Sequence, residues 1–218
     1  MQIVCLLFDG VTALDAVGPY EVLSRLPGST FTFVSPTGRP VRTGGPPLGL
    51  EVDGRSGDVT SADVLVVPGG TGTRTLVDDG EVLAWVRALH ATTTWTTSVC
   101  TGSHVLAAAG LLDGLEATTH WNSMATLASY GAIPVSRRVV EQGRIMTAAG
   151  VSAGIDMALL LAARLAGDDM ARAIQLGIEY DPQPPFDAGS PATAPPAIVE
   201  LVRSVLAAPE PVAPSPTA

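Results

Sequence analysis

Short apolar runs alternate with longer stretches of helical periodicity along most of this chain. The apolar runs have the length and the β-branched character of strands, and they lie at residues 3–8, 30–36, 62–70 and 94–99. Helices are predicted between and after them, near residues 15–27 and at 80–93, 102–112, 122–131 and 151–167. This alternation predicts an α/β fold with a mostly parallel sheet and helices on both faces.

Three segments depart from the alternation. Residues 37–57 are rich in turn-forming residues and contain only short extended pieces, and residues 116–121 form one short extended piece. Residues 134–150 predict two strands joined at Gln142-Gly143.

Proline marks the C-terminal part of the chain. Residues 180–196 are rich in proline and polar residues but carry Tyr180 and Phe186, which favours an ordered surface or interface loop. Residues 207–218 have the composition of a disordered tail. We therefore expect a single domain over residues 1–206.

The excess of acidic over basic residues disfavours negatively charged partners. The chain has 12 Lys+Arg against 21 Asp+Glu, a net charge of −9, and no lysine at all. Nucleic acids and anionic membranes are not expected as partners, because both require a basic face. No apolar run is long enough for a membrane span, and the N-terminus lacks the pattern of a signal peptide, so we expect a cytoplasmic protein.

Cysteine and histidine patterns predict no metal site. The chain has two cysteines, Cys5 and Cys100, with no C-x-x-C and no H-x-x-x-H motif. Cys5 stands in the middle of an apolar strand, which favours packing in the core. Cys100 stands where a β-branched strand passes directly into a helix.

Such a junction can activate a thiol. A tight strand-to-helix turn exposes the side chain, and the N-terminal peptide groups of the helix stabilise a thiolate. The alternative is a small buried residue without chemistry. In a parallel sheet the carboxyl ends of strands meet at one edge. Asp15 and the Pro68-Gly69-Gly70 turn also follow strands, so we expect them to lie near Cys100.

Each neighbouring candidate has a second interpretation. Asp15 is either a helix N-cap or an acid that shares a proton with the thiol. Glu21 is a rival carboxylate or part of a solvated helix face. Gly69 and Gly70 either form a turn or present backbone N–H groups to a substrate.

The three histidines leave similar alternatives. His120 either supports the site or is structural. His104, one helical turn after Cys100, either contacts that helix or faces solvent, and His90 ends a predicted helix.

Taken together, these motifs resemble the DJ-1/PfpI superfamily, whose domains are flavodoxin-like, related to class I glutamine amidotransferases, and carry a cysteine at a nucleophile elbow. The resemblance extends over nearly the whole chain, because five motifs follow the order of that superfamily. They are LDAVGPYEVL (14–23), VLVVPGG (64–70), TTSVCTGSHVLAAAGLL (96–112), ATTHW (117–121) and GVSAGIDMALLLAARLAG (150–167).

Within the superfamily the chain is most similar to the isonitrile hydratases. The similarity includes Asp15 before a Gly-Pro pair, Cys100-Thr101-Gly102, a T-T-H-W motif and the segment that begins at Glu179-Tyr180. The protease and deglycase-like branches usually carry Glu at position 15 and His after the cysteine. This chain also has Val151-Ser152 where the subgroup often has Ile-Thr, near the expected pocket.

The resemblance implies hydration of an isonitrile to an N-substituted formamide, with water as the second substrate. Cys100 would attack the isonitrile carbon, Asp15 would act as general acid and base, and Thr101 with the backbone of Gly70 would orient the reacting groups. The resemblance also implies a homodimer without cofactor or metal. The alternatives are a ligand-sensing module and a redox or carbonyl-stress protein of the same superfamily.

Overall fold

The structure of the protein is a computed structural model that describes residues 1–207. The described chain divides into two compact units, the first over Met1–Tyr180 and the second from Asp181 onward. A single domain over residues 1–206 stays a prediction. The tail predicted at 207–218 lies outside the described residues, except that Ala207 ends a helix.

The first unit is built on a seven-stranded sheet. Its strands are β1 (Gln2–Leu6), β2 (Thr30–Ser35), β5 (Gly54–Arg55), β6 (Val64–Val67), β7 (Trp95–Val99), β10 (Val139–Gln142) and β11 (Ile145–Ala148). Their order across the sheet is β10-β11-β7-β6-β1-β2-β5. All neighbouring strands are parallel except β10 and β11, which form the antiparallel pair predicted around Gln142-Gly143.

The remaining strands form two small two-stranded sheets. They pair β3 (Val41–Arg42) with β4 (Gly49–Leu50) and β8 (Glu116–Ala117) with β9 (Ile133–Pro134). The predicted α/β class with a mostly parallel sheet is confirmed.

Seven α-helices belong to the first unit, and one to the described part of the second. They are α1 (Ala13–Leu23), α2 (Thr73–Leu76), α3 (Gly80–Thr92), α4 (Gly102–Ala108), α5 (Met124–Ser129), α6 (Ala153–Ala166), α7 (Asp168–Gly177) and α8 (Pro196–Ala207). Among the described residues, no helix is both long and apolar enough to cross a membrane.

The core lies around the central strands. β6 is buried along its whole length, and β1 is buried from Ile3 to Leu6. Cys5 is fully buried in β1, so its predicted place in the core is confirmed. Because β1, β6 and β7 are adjacent and parallel, the loops that follow them emerge at the same edge of the sheet.

Candidate active site

Cys100 occupies a sharp turn between β7 and α4, as the sequence predicts. Its φ of 56° lies in the left-handed region, which is unfavourable for a residue with a Cβ. The turn is held by the Cys100 N–H, which lies 3.0 Å from the carbonyl oxygens of both Ala148 and Ala149. Strain retained in this way at one residue is typical of functional sites.

Gly102 allows α4 to begin directly after the turn. A Cβ at this position would lie 2.0 Å from the carbonyl oxygen of Val67, at the end of β6. Only glycine lets the helix approach the strand so closely, and this approach fixes the position of Cys100 relative to the loop after β6.

Asp15 lies inside α1 and is completely buried. The N-cap interpretation is wrong, because Thr12 is the N-cap and the Asp15 side chain bonds outside the helix. Its Oδ2 accepts the N–H of Gly69 at 2.9 Å. Its Oδ1 is buried without a hydrogen-bond partner in the part of the chain that the structure describes.

Burial governs the protonation of Asp15 and Cys100. It raises the pKa of the Asp15 carboxyl to about 7, while hydrogen bonds from the Gly69 N–H and the Cys100 thiol act in the opposite direction. Burial, and after it the charge of Asp15, raise the pKa of the Cys100 thiol. Burial opposes the thiolate expected at the helix terminus, whose formation stays a prediction. Above about pH 7 the two groups hold one proton between them.

Several donors nevertheless surround the sulfur. The backbone N–H groups of Thr101 and Val151 and the hydroxyl of Thr101 lower the pKa of the Cys100 thiol by hydrogen bonding. These donors can stabilise negative charge that develops at the sulfur during a reaction.

The glycine pair after β6 holds the side chains of the site. The Gly69 N–H is donated to Asp15, and the Gly70 N–H is donated to the Thr101 hydroxyl at 2.9 Å. A Cβ on Gly69 would lie 2.5 Å from the Thr101 nitrogen and 2.9 Å from Asp15 Oδ2. Both N–H groups thus bond to protein, and direct contact of Gly69 and Gly70 with a substrate stays a prediction.

Val151 and Ser152 lie at the turn before α6. Val151 has a φ of 37°, a second left-handed residue beside Cys100. The Ser152 hydroxyl accepts a hydrogen bond from Arg138 at 3.3 Å, and Arg138 also pairs with Asp156. The 151–152 turn therefore contacts the Cys100 sulfur through a hydrogen bond from the Val151 N–H.

Glu21 and the three histidines, the other candidates for the site, each have a contact of their own in the structure. Glu21 forms an exposed ion pair with Arg25. The ring of His120 packs against Gly150, and His104 is buried with Nε2 3.3 Å from the Ser123 carbonyl oxygen. Support of the site by His120 stays a prediction. His90 lies in the last turn of α3 and bonds to Thr96 at the opposite end of β7. Within residues that the structure describes, no group of three or more His, Cys, Asp or Glu could hold a metal ion.

A sequence model of the DJ-1/PfpI family matches residues 1–164. The chain belongs to the DJ-1/PfpI family. Among solved structures, a THiJ/PfpI family protein from Pseudomonas syringae has a TM-score of 0.91 and 39% identity, over 94% of this chain and 86% of that chain.

The curated relatives of this DJ-1/PfpI protein include an enzyme and a transcriptional regulator. An isonitrile hydratase from Pseudomonas putida is 47% identical over 93% of this chain and 89% of its own length. The HTH-type transcriptional regulator CdhR from Pseudomonas aeruginosa is 32% identical over 75% of this chain, and the match spans 49% of the regulator.

Two hydroxyl residues at the site of this DJ-1/PfpI protein were not predicted from the sequence. Thr119 donates to the carbonyl oxygen of Cys100 at 2.9 Å, and buried Thr73 lies 3.1 Å from the Thr101 hydroxyl. Thr119 belongs to the T-T-H-W motif, which could have drawn attention to it. Thr73 stands three residues after Gly70, and only the fold shows that its hydroxyl returns to the site.

Proposed function

We propose that this protein is an isonitrile hydratase that converts an isonitrile and water into an N-substituted formamide. The relative from Pseudomonas putida with that name supports the reaction. The observation that carries the proposal is a thiol and a carboxyl buried face to face, Cys100 and Asp15, with Asp15 Oδ1 left without a partner among the described residues.

The first half of the reaction joins the sulfur to the isonitrile carbon. As the S–C bond forms, the thiol proton of Cys100 passes to Asp15, and from Asp15 to the terminal carbon, which has become basic. The product is a covalent thioimidate. Asp15 Oδ1 is suited to hold this proton, because Oδ2 is already engaged by the Gly69 N–H.

The second half adds water to the thioimidate carbon. Asp15, ionised again, takes a proton from the water as its oxygen bonds to that carbon, and Asp15 then passes this proton to the substrate nitrogen. The tetrahedral adduct expels the Cys100 sulfur while its hydroxyl proton returns to the Asp15–Cys100 pair, and the formamide leaves. The Thr101 and Val151 N–H groups stabilise the departing thiolate. Water supplies both hydrogens and the oxygen that distinguish product from substrate.

The test is formamide formation from cyclohexyl isonitrile. We expect the wild type to turn it over, Cys100→Ala to lose formamide formation, and Cys5→Ala to retain most of the rate as the matched cysteine control. Denaturing mass spectrometry should detect the thioimidate on Cys100. Formamide production by Cys100→Ala at the wild-type rate would remove Cys100 from the reaction.

A redox or carbonyl-stress function is less well supported. Such proteins use accessible thiols with a lowered pKa, whereas Cys100 is buried and its pKa is raised. Parallel assays with methylglyoxal and hydrogen peroxide separate these functions from hydration. Turnover of methylglyoxal but not of isonitrile would favour the alternative.

We also propose a homodimer in the cytoplasm, as the resemblance implies. Light scattering after size exclusion should give twice the chain mass of 22.3 kDa. A mass of one chain across the micromolar range would contradict the dimer.

A further inference from the structure

The Thr73 hydroxyl lies behind the reactive residues, at the start of α2. Its side chain is buried, and Oγ1 donates to the Gly70 carbonyl oxygen at 2.8 Å. The Thr73 hydroxyl also lies in position to donate to Thr101 Oγ1, at 3.1 Å, and the Thr101 hydroxyl lies in position to donate to the same carbonyl oxygen, at 3.2 Å. Two threonine hydroxyls therefore compete for one carbonyl group.

Counting protons and lone pairs decides this competition. A threonine hydroxyl carries one proton, and a carbonyl oxygen has two lone pairs. The Gly70 carbonyl accepts the Thr73 N–H at 3.2 Å. Of the two hydroxyls that can donate to its second lone pair, Thr73 at 2.8 Å is closer than Thr101 at 3.2 Å and is the favoured donor. The Thr101 proton is then left for the other acceptor within its reach, the Cys100 sulfur.

We propose that Thr73 is a positioning residue that directs the hydroxyl proton of Thr101 toward the Cys100 sulfur. Thr73 occupies the Gly70 carbonyl, so that the sulfur becomes the remaining acceptor for Thr101. This inference rests on the proposed function only in taking Cys100 as the nucleophile, and it is independent of the substrate.

Thr73→Val tests the inference at nearly constant volume. Without the Thr73 hydroxyl, the Gly70 carbonyl has a free lone pair and takes the Thr101 proton, so the thiolate loses one donor. We expect alkylation of Cys100 by iodoacetamide at pH 8 to slow about tenfold, the effect of one hydrogen bond to a charged group. The pH profile of alkylation should move to higher pH, and Thr73→Ser should restore both.

Two comparisons separate positioning from a general structural effect. Thr75→Val, with an exposed side chain on the same helix, should alkylate like the wild type. In a Thr101→Val background Thr73→Val should not slow alkylation further, because Thr73 acts on the sulfur only through the Thr101 hydroxyl, which that background lacks. If Thr73→Val does not fold, Thr73→Ala is used with the same expectations.

Two results would overturn the inference. They are a wild-type alkylation profile for the folded Thr73 variant, and an undiminished effect of that variant in the Thr101→Val background. Alkylation is followed on the Cys100 peptide and requires no isonitrile. A protein that hydrates no isonitrile but shows these shifts would therefore contradict the proposed function and leave the role of Thr73 intact.

Discussion

Asp15 and Cys100 each occupy a position that is costly for stability. Asp15 is a fully buried carboxyl with one unpartnered oxygen in the described chain, and Cys100 adopts a left-handed backbone conformation. Desolvation disfavours charge on either group and raises the pKa of both, so above about pH 7 the pair holds one proton. A carboxyl that gains and loses a proton near neutral pH is suited to act as base and then as acid in one reaction.

The pH profile of activity tests this arrangement. The reactive form holds one proton on the pair, and because burial raises the pKa of Asp15 to about 7, this form accumulates as the pH rises through about 7. We expect kcat/KM for isonitrile hydration to increase up to that pH and then to level off. Asp15→Asn should lower kcat/KM by about 10²–10⁴-fold and flatten the profile. A wild-type rate that decreases as the pH rises through 7 would contradict the assignment.

The free energy of unfolding should depend on pH through the same Asp15 carboxyl. The folded-state pKa of Asp15 is raised from 3.8 to about 7, so its contribution is complete below pH 3.8 and is lost as the pH rises through about 7. At about 1.4 kcal/mol for each pKa unit, the loss approaches ~4 kcal/mol. Urea unfolding should therefore show Asp15→Asn gaining stability relative to the wild type between pH 4 and pH 8.

An exposed carboxyl provides the control for that measurement. Asp78→Asn makes the same chemical change at the surface. Its difference from the wild type should be nearly constant over the same pH range. Equal pH dependence in the two variants would show that the buried Asp15 carboxyl is not the source.

Individual site residues could be predicted to different extents. Cys100, Asp15 and Thr101 follow strands of a parallel sheet or belong to motifs, so their proximity could be expected before the structure. The N-cap interpretation of Asp15 was wrong, because α1 begins two residues earlier and Thr12 is its N-cap. Burial of Asp15 and Cys100 acts against the expected thiolate, and burial of a single polar residue cannot be derived from local pattern. The position of Thr73 depends on tertiary packing in the same way.

At the level of elements, the loop after β6 forms hydrogen bonds both to Asp15 in α1 and to Thr101, which precedes α4. Gly69 is the point of closest approach, since any Cβ there would meet both Thr101 and Asp15. The carboxyl, the loop and the nucleophile are therefore positioned as one assembly, and the requirement for glycine is steric.

Gly69→Ala tests this requirement. The added methyl would displace Thr101 and Asp15 by several tenths of an ångström or more, and misplacement near 1 Å can cost about 10²-fold in rate. We expect isonitrile hydration to fall by at least that factor and stability to decrease by about 1–3 kcal/mol. Gly80→Ala is the control, because its Cβ meets nothing within 4 Å and it lies at the start of α3. Normal activity in Gly69→Ala would show that the loop adapts freely.

The elements that the sequence analysis missed lie outside the alternation of strands and helices. α7 is much more polar than α6 and buries only Ala171 and Ile174, so no long apolar run marks it in the sequence. α8 begins at Pro196, where proline was taken to exclude regular structure, although proline fits the first turn of a helix. Long apolar elements such as α6 were predictable because burial on one face gives them a clear period.

At the level of the molecule, the single domain over residues 1–206 stays a prediction, and the described chain forms two compact units. The boundary at Tyr180 coincides with the start of the proline-rich segment 180–196, and α8 beyond it is again rich in aliphatic residues. The buried hydrophobic core of the described residues runs from Ile3 to Ile174, all in the first unit. Cys100 and Asp15 belong to that unit too.

A chain that ends at Tyr180 should therefore fold by itself. It retains the seven-stranded sheet, the core and the Tyr180 hydroxyl bond to Asp156, which measures 2.7 Å. We expect a single cooperative thermal transition by circular dichroism, with alkylation of Cys100 similar to that of the full chain. The full-length protein, measured in parallel, provides the reference. A truncated chain that melts without a cooperative transition would show that residues after Tyr180 belong to the same folding unit, as the single-domain prediction requires.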